Sequence, residues 1–287
     1  MTLRNIPGVR RRGAAMLFAA ALSLYGCIDR RDLYDPDLEM TFDPCRNLET
    51  FGVRAWACPE GSGPAEGTLL LDDARIIRDG GKWLPEKPLL WPARDRKVFV
   101  LAYAPYGTAS AISPERGVEF EGIDAEAIAE DLLYSDPVPD ASKGRDGVIP
   151  LTFYPALCRV DFRLRTDAFP VEKVEVKALR ALTLVTRGDF QSLPSPKWTL
   201  SGNPGPVTLA EGSFLLEGEP TVISGNHPLI PQRISTRFEA EIDYTDTNGI
   251  PSHWTVSTEP VEKNFIPGRS YYVDLMFSVE TCTLTTL

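Results

Sequence analysis

The chain is poor in histidine. Its 287 residues include two, His227 and His253, and the linear signatures that catalysis commonly leaves are missing. There is no HExxH pair for zinc, no GxSxG elbow and no phosphate-binding loop. "GSGPAEG" (61–67) has glycines, but their spacing is wrong and no helix follows whose N-terminus could hold an anion. His227 falls in a "GNHP" turn and His253 at a strand start, positions that suit surface residues. Cysteine is scarce as well, five in all, with no CxxC or zinc-like spacing. In "CRVDFRLR", Cys158 shares parity with Val160, Phe162 and Leu164 and reads as a buried core thiol. Cys282 falls with Asp274 and Glu280 on the polar parity of the last strand. Cys45, Cys58, Cys158 and Cys282 allow three connectivities, and the sequence assigns no disulfide. Carboxylates are plentiful, but Asp72/Asp73 and Glu119/Glu121 read as solvated strand and turn faces rather than a glycosidase pair. Nothing here calls for an enzyme, a cofactor or a metal.

A bilayer span needs ~20 apolar residues, and the uncharged run "GAAMLFAAALSL" (13–24) is too short for one. It follows "MTLRNIPGVRRR", which carries Arg4, Arg10, Arg11 and Arg12 and no acid. A basic arm followed by a short apolar core is ordered like a secretory signal. Leu24, Gly26 and Cys27 fit a bacterial lipobox, so residues 1–26 are expected to leave as a lipoprotein signal peptide. Cys27 then takes the lipid and becomes the new N-terminus. The rival is a plain signal cut elsewhere, with Cys27 incidental. Cleavage before Cys27 leaves 26 basic side chains (30 less those four) against 40 acidic, a formal charge of −14. Such a surface repels phosphate backbones, which excludes nucleic acid as a partner. Outer-membrane attachment must come through the lipid anchor.

What the sequence has in abundance is period-two alternation. "RFEAEIDYT" sets Phe238, Ala240, Ile242 and Tyr244 against Glu239, Glu241 and Asp243. "KVEVKAL" does the same with Val174, Val176 and Ala178, and "RSYYVDLMFSVE" with Tyr271, Val273, Leu275, Phe277 and Val279. "KVFVLAYAP" is apolar on both parities, as in a strand covered on both sides. "DTNG" (246–249) reads as a hairpin turn. The 25 prolines argue against long helices. "DAEAIAEDLL" is the one helical candidate, capped by Asp124. No repeat stands out. The polar loop "VPDASKGRDG" (138–147) is the expected boundary between an N-terminal β-sandwich domain, 27–146, and a C-terminal one, 147–287.

Taken in order, a series of segments resembles the fimbrillin family, the pilin-like surface lipoproteins of Bacteroidales. "LEMTFDP" looks like that family's first strand and "TFGVRAWA" like its second. "KPLLWPARDRKVFVLAYAP" is similar to its tryptophan-proline turn and aromatic strand. "DLLYSDPV", "IPLTFYPALCRVDFRLR", "PLIPQ" and "FIPGRSYYVDLMF" resemble its later markers. The resemblance implies an all-β fold of two transthyretin/immunoglobulin-like β-sandwich domains in tandem, and a mechanical role in the fimbrium. Such subunits lose their first strand to an arginine-specific protease, and a strand from another subunit fills the groove.

Arg46, in "DPCRNLE", stands where that cut is expected, although an ordinary turn also accommodates an arginine there. Arg54 lies within the second strand, where a protease would need it unfolded. Tyr271, Val273, Leu275 and Phe277 offer the alternation of a donor strand. The expected partners are other pilus subunits, in a homo- or hetero-polymer, and a ligand on a host or bacterial surface. The alternative is a surface glycan-binding lipoprotein in which Trp56, Trp83, Trp91, Trp198 and Trp254 stack on sugars. Spread singly along strands, these tryptophans read more readily as core or edge residues.

Overall fold

The computed structural model describes residues 38–93, 95–141, 147–168 and 172–287. Their regular structure is almost wholly extended. The chain opens with β1 (Thr41–Asp43), β2 (Phe51–Pro59), β3 (Thr68–Asp79), β4 (Lys82–Pro85) and β5 (Arg96–Ala104). Next come β6 (Ala111–Ser113), β7 (Gly117–Asp124), β8 (Leu133–Ser135), β9 (Val138–Ala141), β10 (Val148–Pro150) and β11 (Phe153–Pro155). The later strands begin with β12 (Cys158–Thr166), β13 (Lys173–Leu184), β14 (Arg187–Gln191), β15 (Lys197–Ser201), β16 (Gly205–Leu216) and β17 (Thr221–Leu229). β18 (Arg233–Thr236), β19 (Phe238–Thr245), β20 (Pro251–Ser257), β21 (Val261–Asn264), β22 (Ser270–Ser278) and β23 (Thr283–Thr286) complete them. Among the described residues the helical elements are two single 3-10 turns, Pro64–Glu66 and Ala125–Ala127. The fold is all-β.

β5 is shared by two cores, as its unbroken apolar sequence requires. Val98, Val100, Ala102 and Ala104 face one side; Phe99, Leu101 and Tyr103 face the other. The first core lies within a sheet of order β10-β1-β4-β3-β2-β5-β8-β11, with β9 also on β5. Its two ends, β10 and β11, are joined through Leu151 and Thr152. The Leu151 amide donates to Asp43 O on one side, and Thr152 O accepts the Asp136 amide on the other. The sheet therefore curls round its own apolar face, enclosing Met40, Phe42, Phe51, Ile149 and Phe153. The second core fills the space between the far side of β2 and β5 and a sheet of order β15-β14-β7-β6.

The third and largest core is a sandwich of two sheets, β17-β12-β22-β23 and β16-β13-β19-β20. Here the predicted alternation holds side chain by side chain: Phe238, Ala240, Ile242 and Tyr244 are buried, and the acids between them face outward. The 246–249 hairpin also forms, joining β19 to β20. Asp246 carboxylate accepts the amides of Asn248 and Ile250, both at 2.8 Å, and Gly249 supplies the positive φ of 80°.

Three expectations are corrected. The helix over 124–133 does not form: Asp124 caps only the turn at Ala125–Ala127, accepting from the Glu126 amide at 3.2 Å. Leu132 belongs to the second core and Leu133 to the first. Consecutive side chains can reach opposite cores only from extended backbone. Glu119 is not solvated but buried, held by Arg116 at 2.9 Å. His227 sits on bulged β17 rather than in a turn, half-buried against Phe162.

Candidate strand-exchange site

β1 is a stave of the curled sheet, bonded on both sides. The Met40 amide donates to Leu89 O (2.8 Å) and the Trp91 amide to Leu38 O (3.1 Å). On the other side the Thr41 amide donates to Gly147 O (3.0 Å) and the Leu151 amide to Asp43 O (2.7 Å). β1 therefore runs antiparallel to β4 and parallel to β10. Met40 and Phe42 are buried in the first core, and Leu38 packs against it half-buried. Phe42 meets the edge of Phe51 at 6.3 Å, and Phe51 in turn touches Trp83 and Phe153. The expected inward parity of Leu38, Met40 and Phe42 is what packs here. Thr41 was read as facing out with Glu39 and Asp43, yet it is 5% exposed.

The strand stops at Asp43, whose carboxylate accepts the Cys45 amide at 3.0 Å, and Cys45 takes a φ of 49°. Arg46 follows, exposed in the loop to β2, beside a shallow depression lined also by Glu49, Glu130 and Asp131. Arg54 is placed quite differently. It lies inside β2, with Nη1 donating to Ile112 O at 2.7 Å and Nη2 3.0 Å from Asp72. Cys27 lies outside the described residues.

Tyr271, Val273, Leu275 and Phe277 lie on β22, which is an interior strand. It is parallel to β12 and antiparallel to β23. Val273, Leu275 and Phe277 are buried in the third core, and Tyr271 packs at its margin. On the outer face Arg163 clasps Asp274 with two hydrogen bonds, 2.6 and 2.8 Å, and lies 4.2 Å over the Tyr272 ring. That guanidinium holds the Asp274 carboxyl below the usual carboxylate range. Within one molecule, then, β1 and β22 belong to different cores. What sequence reasoning missed is the groove's far wall. Gly147 was taken as the end of a loop, and only its glycine at a polar-to-apolar junction hinted otherwise.

The tryptophans decide against sugar platforms. Trp56, Trp83 and Trp91 are buried. Trp198 is half-buried and donates to Ala156 O at 2.7 Å, and Trp254 is half-buried, stacked on Tyr244 at 5.0 Å. The four described cysteines are unpaired. Cys45 and Cys282 are exposed, while Cys58 and Cys158 are buried. Burial pushes the Cys158 thiol up to about 12. Among the described residues no group of three His, Cys, Asp or Glu side chains is placed to hold a metal, and no helix is long and apolar enough to cross a membrane.

No curated protein matches the sequence. Among solved structures, a fimbrial protein from Bacteroides vulgatus superposes with a TM-score of 0.64 at 14% identity, covering 87% of this chain and 97% of that one. A protein assigned to cell adhesion from Bacteroides uniformis gives 0.52 at 12% identity, covering 87% and 96%. Likeness at such identities speaks for the fold alone. The sequence itself matches the model of the fimbrillin-like family over residues 47–286. With that match running from β2 to β23 and leaving out only β1 among the strands, the chain belongs to the fimbrillin-like family.

Proposed function

We propose that this protein is a cell-surface lipoprotein of the outer membrane, a fimbrial subunit or adhesive accessory subunit that joins its neighbours by β-strand exchange. Family membership supports the fimbrial role, alongside other pilus subunits at the cell surface. The role is mechanical rather than catalytic. Residues 1–26 act as the signal peptide and Cys27 carries the lipid. Two β-sandwich domains follow one another, with 146/147 as the proposed boundary. The separation of the first core from the third supports two domains, while β10 and β11, beyond that boundary, complete the first sheet.

The observation that carries strand exchange is the seating of β1. It is a short stave, bonded on both sides, plugging a core, and followed directly by an exposed arginine. Cleavage after Arg46 severs Leu38–Asp43 from the rest of the chain, so that the strand can be displaced from an apolar slot flanked by two rows of backbone hydrogen-bonding groups. An incoming strand satisfies both. The donor in this chain is β22, whose release requires breaking its pairing with β12 and β23. The test is N-terminal sequencing of surface-released protein, with filaments counted by electron microscopy. Arg46→Ala is expected to block maturation and leave monomers. Intact polymers whose subunits still begin at Cys27 would falsify the Arg46 route.

A further inference from the structure

Thr41 is buried although its parity points away from the first core, and its Oγ1 donates to Gly147 O at 3.3 Å. That carbonyl also accepts Trp91 Nε1 at 3.1 Å. Gly147 has a φ of 64°, and a Cβ there would come within 2.7 Å of Glu39 O. The wall is therefore tight, and the seat reads one position beyond the three apolar ones: a small hydroxyl between the second and third. A slip of two residues keeps each side chain on its face but moves this hydroxyl. It sets the register of whatever strand enters.

A second stretch of the chain repeats the pattern. "LEMTFDPC" (38–45) and "LMFSVETC" (275–282) agree in kind at six of eight places: Leu at the first, apolar, hydroxyl, apolar and acid at the third to sixth, and Cys at the eighth, with Met276 against Glu39 and Thr281 against Pro44 as the departures. The likeness extends to conformation. Leu275, Phe277 and Val279 face the third core as Leu38, Met40 and Phe42 face the first. Cys45 and Cys282 are both exposed, with φ of 49° and 51°, so both stretches reach a left-handed residue at their eighth place, although β1 runs to Asp43 whereas β22 ends at Ser278 and residues 279–282 turn toward β23. β22, like β1, has one parallel and one antiparallel neighbour.

We infer that in an assembled fibre the seat vacated by Leu38–Asp43 is taken by Leu275–Glu280 of a second copy of this chain, with Ser278 replacing Thr41 on the Gly147 carbonyl. This rests on the strand-exchange reading and fixes its partner and register, starting the inserted stretch at Leu275 rather than Tyr271. Phe277 for Met40 and Val279 for Phe42 nearly conserve combined volume, the kind of swap cores tolerate best. The register beginning at Val273 puts Met276 in Thr41's place, bulkier and without a hydroxyl. The register beginning at Tyr271 puts the Asp274 carboxylate against a carbonyl oxygen.

The test is intramolecular. Full-length protein in which residues 38–43 are replaced by LMFSVE is compared with one carrying VDLMFS, by hydrogen exchange at the Trp91 and Leu151 amides that bond the strand. The first graft should keep protection within about tenfold of the parent, and the second should fall to that of exposed loops. Equal protection in the two grafts, or loss in both, overturns the proposal. Single substitutions guard against a graft that misfolds: Thr41→Ser should hold the strand and Thr41→Met release it, and equal protection there also overturns it. These results do not depend on fibres. In fibres, where Glu39 stands opposite Leu90, a photo-crosslinker at residue 276 should capture Leu90 of the neighbouring copy and one at 274 should not. Capture from 274 instead refutes the register, whereas absence of fibres counts against strand exchange itself.

Discussion

Phe190→Ala is the sharpest probe of how the two halves of the chain are held together. Phe190 sits on β14, which leaves the region of the third core to pair with β7. Its ring is 2% exposed, stacked on Phe120 at 5.7 Å, with Tyr134 at 5.0 Å and Trp198 at 5.4 Å. The backbone bonds to β7 survive the substitution, as do the Arg187–Asp124 pair and the Ser192 hydroxyl on the Val118 amide. What is lost is apolar burial and a cavity's worth of contacts, about 3–5 kcal/mol for a buried phenylalanine. Urea unfolding followed by tryptophan fluorescence measures it. Leu200→Ala on exposed β15 is the control, expected within about 0.5 kcal/mol of the parent. A loss below about 1 kcal/mol for Phe190→Ala would refute the packing of this hairpin across the halves.

Produced as two polypeptides divided between Asp146 and Gly147, the halves should copurify, because β14 and β15 complete a sheet whose other two strands, β7 and β6, precede the break; two separately monodisperse halves would contradict this. Burial, with Arg159 adding repulsion, lowers the pKa of His227. A depressed folded value means this contribution to stability is complete above the unfolded value of about 6.5 and is lost as pH falls through the folded one. His227→Phe should flatten the change in melting temperature below about pH 6.5, and an unchanged slope would assign it elsewhere. Cys27→Ser should abolish labelling by a clickable fatty acid and shift the protein out of the membrane fraction, and persistent labelling would place the lipid on another residue.

Much of the fold is legible residue by residue, because a strand's alternation records which face is wet. Phe238 to Tyr244 could be placed on one face, and the doubly apolar β5 announced two cores before either was seen. Pairing across long distances is another matter. Nothing in "RGDFQ" says that Phe190 will stack on Phe120 rather than join the sandwich around it, since both sites ask only for an apolar ring. The helix at 124–133 failed for a related reason. Its spacing was permissive, but Leu132 and Leu133 were claimed by different cores. At the groove, sequence put Leu38, Met40 and Phe42 on the inward face but did not find the wall. The burial of Thr41 depends on Gly147, far away in sequence, and one hydroxyl among exposed-parity residues carries no mark of it.

The energetics of the plug bear on how such a joint could work. Met40 and Phe42 each contribute ~1.5–3 kcal/mol by burial, and four backbone hydrogen bonds accompany them. Together that is of the order of a whole domain's net stability, about 5–15 kcal/mol. A cut chain would keep its strand in place, since severing the loop at Arg46 removes no contact of Leu38–Asp43. It would exchange only for a strand that fills the same slot at least as well. Loss and gain are then one step, in which a stretch with the right alternation and a hydroxyl for Gly147 displaces the plug from one end. On this account peptide "LEMTFD" added in excess should slow assembly of cut subunits without affecting uncut ones, because it competes for the same seat. Assembly at an unchanged rate in saturating peptide would mean that the joint lies elsewhere on the molecule.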